Sequence, residues 1–165
     1  MDVEFDGMLR EYAELEGAVQ KVIGDLFGQV CAHCTSSCCT PDICEESLES
    51  AFLRVLRGRF CPQVYFCDRY GWLGASGCCL DCGRPPVCYG FFCNAIVDSL
   101  SEERRELVRE LGRIVAWVGE RASGSLHLVE IMDSEELSKI NCFRVLTRIA
   151  EGRQRLDMVR QELFS

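Results

Sequence analysis

Twelve cysteines within 63 consecutive residues constrain this chain more than any other feature of its sequence. Cys31, Cys34, Cys38, Cys39, Cys44, Cys61, Cys67, Cys78, Cys79, Cys82, Cys88 and Cys93 all fall in 31–93, and Cys142 stands apart. Such density has two ordinary explanations, a secreted disulfide scaffold or a thiolate metal site. The opening MDVEFDGMLREYAELEGAV carries acids where a signal peptide needs a basic region, and no apolar stretch precedes a small-residue cleavage site. The expected setting is therefore the cytosol, where thiols stay reduced and a dense group of them binds metal more often than it bridges. The apolar run at 87–97 falls short of the roughly 20 residues a membrane helix needs, so no transmembrane segment is expected.

Hydrophobic residues make up 48% and charged residues 27% of 165, a mixture that supports one folded domain over 1–165 and excludes a disordered tail. A formal net charge of −8 sets the chain against phosphate backbones, so no nucleic-acid partner is expected.

Helical periodicity dominates both ends. Phe5, Met8, Tyr12, Leu15, Val19, Val22 and Leu26 recur at spacings of three and four, predicting a helix over 3–29 with Glu11, Glu14 and Lys21 on its polar face. A second helix is predicted to begin after Cys44, where Glu45, Glu46 and Glu49 suit an N-terminus, to bury Leu48, Phe52, Val55 and Leu56, and to end at Gly58. Residues 58–77 read as a folded loop ordered by ligation at Cys61 and Cys67. Ser99 with Glu102 matches a capping box for a helix over 100–121 carrying Leu107, Leu111, Ile114 and Val118. Ala122, Ser123, Gly124 and Ser125 break it, and 125–132 reads as coil. Asp133 with Glu136 predicts a last helix running to about 163. Leu137, Ile140, Leu146, Ile149, Leu156 and Leu163 would face inward, with a weak point at Gly152. The predicted fold is mostly α: a helical bundle from the terminal segments 1–30 and 94–165, with a cysteine-rich, irregular metal-binding insert over 31–93.

Cys31-Ala-His-Cys34 and Cys79-Leu-Asp-Cys82 are both C-x-x-C turns, each beside a vicinal pair, Cys38-Cys39 or Cys78-Cys79. Tetrahedral thiolate sites need four ligands and such turns supply two each. Adjacent cysteines point in different directions on an extended backbone, so the vicinal pairs suit two sites or one polynuclear cluster better than a simple chelate. The twelve clustered cysteines are accordingly the predicted ligands of an iron–sulfur centre, more in keeping with the 4Fe–4S type, with zinc as the alternative. Bacterial and plant ferredoxin spacings are absent, as are the radical-initiating C-x₃-C-x₂-C run and a phosphate loop.

The C-x₂-C-x₃-C-C of Cys31 to Cys39, followed by GCCLDCGRPPVCYGFFC at 77–93, resembles the YkgJ family of cysteine-cluster proteins. The family's R-P-x-x-C-R-x-F element is matched by Arg84, Pro85, Pro86, Val87, Cys88, Tyr89, Gly90 and Phe91, with tyrosine where arginine is frequent. One extra residue separates Cys34 from Cys38, and Cys82 lies closer to Cys88 than is usual. The resemblance covers about 31–93 and implies iron–sulfur or zinc binding in a thiolate pocket. It implies no substrate.

His33, inside the first C-x-x-C turn, reads as pointing away from the site, and His127 as structural, because no partner near it completes a catalytic arrangement. Neither supports a hydrolase, and no catalytic motif is recognisable. Cys142, beside Ile140 and Phe143 on the presumed core face, reads as packing. Phe60, Tyr65, Phe66, Tyr70, Trp72, Tyr89, Phe91 and Phe92 interleave with the cysteines as a dry shell, and Arg69 and Arg84 are candidates to offset thiolate charge. Together these features predict a redox, electron-transfer or cluster-chemistry role with a redox or protein partner, in a monomer or homodimer. The alternative is a structural zinc module that mediates protein–protein interaction.

Overall fold

The computed structural model describes residues 3–32, 40–74 and 77–165, and the chain is mostly helical. Helix α1 spans Val3–Ala32. Phe5, Met8, Tyr12, Leu15, Val19 and Val22 are buried as their spacing predicts, and Leu9 joins them because the apolar face is wider than one stripe. At the far end Phe27 takes the core position expected of Leu26, which is only half-buried.

The predicted second helix is two helices. Thr40 in extended conformation and Pro41 start α2, Pro41–Glu49, so Cys44 lies inside the helix rather than ahead of it. Ser50 then ends α2 and caps α3, Ala51–Phe60, its side chain accepting a hydrogen bond from the Leu53 N–H. The N–H of Ala51 leaves the helical ladder and donates to the Ile131 carbonyl at 2.7 Å, fixing the break from outside. Gly58 does not stop α3.

Within the predicted loop the described residues form a bridge between Cys67 and Gly71 and a short antiparallel pair, β1 Leu73–Gly74 with β2 Gly77–Cys78, in register Leu73 to Cys78. Two short helices follow, α4 Val87–Gly90 and α5 Asn94–Ser99. The N-cap of α6, Glu102–Gly119, is Ser101 rather than Ser99, which belongs to the last turn of α5. The coil expected at 125–132 contains a 3₁₀ turn, Leu128–Glu130. Asp133 caps a second such turn, Ser134–Lys139, instead of the long helix. The long helix α7, Cys142–Phe164, starts at Asn141, whose side chain accepts from the Arg144 N–H at 2.9 Å.

Helix α7 runs unbroken through Gly152, and the break falls at Ile140 and Asn141 instead. A Cβ at Gly152 would stand 3.3 Å from Ile114 and 3.4 Å from Leu15 and Val118, so this glycine is where α1, α6 and α7 approach one another. The central core lies between these three helices. Phe52, Leu53 and Leu56 of α3, together with Tyr89 of α4, belong to the same buried cluster. The cysteine-bearing span thus contributes secondary structure and side chains to the main core. Among the described residues no helix is long and apolar enough to cross a membrane.

α4 crosses α6 at two glycines. A Cβ on Gly112 would lie 2.5 Å from the Gly90 Cα and 2.7 Å from its nitrogen, so backbone meets backbone with no side chain between. Backbone cannot swing aside as a side chain can. Gly112→Ala is therefore expected to lower stability by about 2 kcal/mol, at the overpacking scale of ~1–3 kcal/mol, read as a lower urea midpoint at unchanged slope. An unchanged midpoint would mean that α4 lifts off α6 without cost.

Candidate metal centre

The segment that carries most of the described cysteines is held to the helical core by one buried acid. Glu16, on α1 and 1% exposed, accepts hydrogen bonds from the backbone N–H of Gly83 and of Arg84, each at 2.8 Å, and from the Tyr89 hydroxyl. Gln20, one helical turn on, donates to the Tyr89 hydroxyl and to the Asp81 carbonyl, both at 2.9 Å. Burial pushes the Glu16 carboxyl up to about 7, against the pull of the Tyr89, Gly83 and Arg84 hydrogen bonds and the Arg84 charge. Gly83 adopts φ +77°, and a Cβ there would meet the Arg57 Cγ at 2.5 Å and the Leu53 carbonyl at 3.3 Å. The 82–84 turn is therefore clamped between α1 and α3.

Beyond this clamp, the Arg84 side chain turns back over the sulfur-bearing strand. Its Nε and Nη2 donate to the Leu80 carbonyl at 2.9 and 2.7 Å, and Nη2 reaches the Cys78 carbonyl at 3.4 Å. Burial raises the Cys78 thiol pKa, the Arg84 charge and the Leu80 N–H oppose that rise, and the neighbouring Cys44 and Cys79 reinforce it.

Cys44 is fixed from the other side. Ser47 donates to the Cys44 carbonyl at 2.7 Å and accepts from the Trp72 indole N–H at 2.8 Å, while Arg57 donates to the Ser47 carbonyl and lies over the Trp72 ring. Gly71, at φ +61°, passes so close to Cys44 that a Cβ there would stand 2.7 Å from its sulfur.

These two supports open onto a cavity of about 90 Å³ lined by Cys44, Cys78 and Cys88 with Trp72, Leu80 and Arg84. Three cysteines and one arginine stand among otherwise mostly apolar lining residues. The volume suits a compact inorganic centre better than an organic ligand, whose sites run to roughly 300–1,000 Å³. Sulfur donors suit zinc and iron–sulfur clusters, and the adjacent positive charge suits a centre with about two negative charges on it. The donor chemistry fits. The geometry does not close around one ion, because among the described residues no three Cys, His, Asp or Glu side chains come together as a ligand set.

The remaining predicted ligands divide. Cys61 and Cys82 are buried with their sulfurs 3.5 Å apart, in the central core rather than on the cavity. Burial raises the Cys82 thiol pKa, and the Cys61 thiol beside it adds to the rise. Cys31 is exposed on the last turn of α1, Cys67 is exposed in the bridge to Gly71, Cys79 is exposed with its N–H on the Trp72 carbonyl, and Cys93 is half-buried as N-cap of α5. None of these four lines the cavity. Cys34, Cys38, Cys39 and His33 lie outside the described residues.

Half of the expected aromatic shell faces solvent: Phe60, Tyr65, Tyr70 and Phe91 are exposed. Only Trp72 and Phe91 of that group line the cavity. Phe66 packs edge-on against Trp72, Phe92 against Phe27, and Tyr89 serves Glu16. Arg69 lies over Tyr70 rather than against a thiol. Cys142 is half-buried against the core while Phe143, expected beside it, is 77% exposed. His127 is structural: Nδ1 accepts from the Val129 N–H at 3.2 Å, Nε2 pairs with the Ala116 carbonyl at 2.7 Å, and the ring covers Gly119. Comparison with protein-family models, curated proteins and solved structures yields no match to this chain.

Glu16 was not among the residues singled out from the sequence. It lies four residues after Tyr12 and three before Val19, so an acid on the apolar stripe was the available signal. A carboxyl whose pKa is higher folded than unfolded binds more protons in the folded state. Its stabilising effect is therefore complete below the ordinary value of 4.5 and is lost as pH rises to about 7. Urea unfolding across that window should show a loss approaching 3 kcal/mol in order of magnitude, and Glu16→Gln should flatten it. A slope that survives the substitution would assign the titration to another group.

Proposed function

We propose that this chain is a cytosolic iron–sulfur protein of YkgJ-like type, with a redox or electron-transfer role and its centre at the cavity of Cys44, Cys78 and Cys88. The observation that carries the reading is that one apolar cavity beside Arg84 is lined by three cysteines from α2, β2 and α4. The sequence resemblance adds to this, since Arg84, Pro85, Val87, Cys88 and Phe91 of the matched element all border the same cavity.

A thiolate-bound cluster supplies one-electron transfer at a potential set by its surroundings. The chain's own contribution is to orient the donors and to set the charge around them. Arg84 is fixed at both ends, by its backbone on Glu16 and by its guanidinium on the Leu80 carbonyl, so its positive charge cannot swing away from the cavity. The Leu80 backbone, which opposes the rise of the Cys78 thiol pKa, is a further means of favouring the thiolate. For Cys34, Cys38 and Cys39 the reading rests on spacing alone.

Protein purified without oxygen or added zinc is expected to contain iron and acid-labile sulfide and to absorb broadly at about 400 nm, as thiolate-bound clusters do. Cys88→Ser or Cys78→Ser should lower the iron content well below stoichiometric, whereas Cys142→Ser should leave it unchanged. Zinc without colour or sulfide would replace this reading with a structural zinc module acting through a protein partner. Equal metal content in all three variants would remove the cavity from the ligand set.

A further inference from the structure

Two of the cysteines do not share the cavity, and their surroundings assign them a different chemistry. We infer that Cys61 and Cys82 form a redox pair, a dithiol that a hydroperoxide converts to a disulfide closing the 61–82 segment. The sulfurs are 3.5 Å apart and belong to the central apolar cluster. Among the described residues no third Cys, His, Asp or Glu joins them as a ligand set.

Their positions come from constraints on either side rather than from the thiols themselves. Cys61 is the C-cap of α3, its N–H donating to the Arg57 carbonyl at 2.7 Å. Cys82 immediately precedes the turn that Glu16 holds and that Gly83 presses against Leu53 and Arg57 of the same helix. Two sulfurs held at contact by separate anchors need only a small closing movement to reach the ~2.05 Å of a bond, and little chain entropy remains to be lost.

Burial selects the oxidant. Cys61 is 7% and Cys82 3% exposed, so a bulky disulfide cannot approach in line with either sulfur, whereas hydrogen peroxide is close to water in size. The Cys61 sulfur attacks the peroxide, the O–O bond breaks, and the departing hydroxide takes the thiol proton and leaves as water. Cys82 then attacks the resulting sulfenic acid, the S–O bond breaks, and a second water leaves with the Cys82 proton. Two thiols lose two electrons and two protons, and one peroxide becomes two waters. The closed loop contains β1, β2 and Cys78, so oxidation fastens the strand that lines the cavity.

The test uses the full chain as purified, exposed to hydrogen peroxide, quenched in acid, alkylated, digested and mapped by mass. The expected product is a peptide joining Cys61 to Cys82, lighter by two hydrogen atoms and split by a reductant. In Cys61→Ser, Cys82 should become alkylatable or carry a sulfenic acid; should that variant not fold, the wild-type map decides alone. Both residues alkylated after peroxide, or either one joined to a different cysteine, would overturn the assignment. Protection that a chelator removes would also overturn it, because the pair would then be holding metal. Metal analysis of the same untreated sample tests the cavity reading separately, so the two can fail independently.

Discussion

The buried carboxylate of Glu16 is the tie on which the placement of the sulfur-bearing segment depends. An acid 1% exposed on a helix face is costly to desolvate, and nothing in α1 itself satisfies it. Its partners are two successive backbone N–H groups and a phenol, all from 83–89, so folding α1 correctly recruits that segment. The recruitment is reciprocal, because Gly83 and Arg84 would otherwise bury two unpaired donors. From there the consequences spread outward: Tyr89 enters the core, α4 follows it, and Gly90 is brought onto Gly112 of α6.

The thiols owe their positions to this framework and to missing side chains beside them. A Cβ on Gly71 would meet the Cys44 sulfur at 2.7 Å, and one on Gly74 the Cys79 sulfur at 2.6 Å. Glycine is present at both points where main chain passes against sulfur. Between Cys61 and Cys88 the cysteines accordingly occupy three environments: the cavity, the core pair and exposed positions at Cys67 and Cys79. Cys78 and Cys79 show the division at closest range, one lining the cavity and the other, just past the end of β2, exposed.

Much of the scaffold was legible because long helices write their period into the sequence. The stripes on α1, α6 and α7 place Met8, Leu15, Leu111, Ile114, Ile149 and Leu156 in the core as their spacing predicts. The breaks at Ser50 and Ile140 were not legible, since neither involves proline or glycine. Ser50 acts through its own hydroxyl and through the Ile131 carbonyl that removes Ala51 from the ladder, a partner distant in sequence. Gly152 misled for a related reason: its cost within a helix is local, while its benefit is the approach of Ile114 and Leu15 from two other helices. Cysteine spacing located the segment that matters. It did not distinguish Cys78 from Cys79, or separate Cys61 and Cys82 from the rest, because those differences come from which helix each residue meets.

Arg84 shows how scaffold and sulfur are joined in a single residue. Its N–H belongs to the Glu16 clamp, while its guanidinium bonds the Leu80 carbonyl twice and reaches that of Cys78. The Leu80 backbone in turn opposes the rise that burial imposes on the Cys78 thiol pKa. Hydrogen bonds of Arg84 thus link the α1 carboxyl to the backbone of the segment that bears a cavity cysteine. Burial alone would favour the protonated forms of both the carboxyl and the thiol, and the Arg84 charge opposes burial at each. Lysine offers the same charge without the planar fork, so it cannot hold the Leu80 carbonyl through two nitrogens while its backbone remains on Glu16. The arginine is therefore required for its geometry as much as for its charge, and that geometry is available only because an acid lies on the apolar face of the first helix.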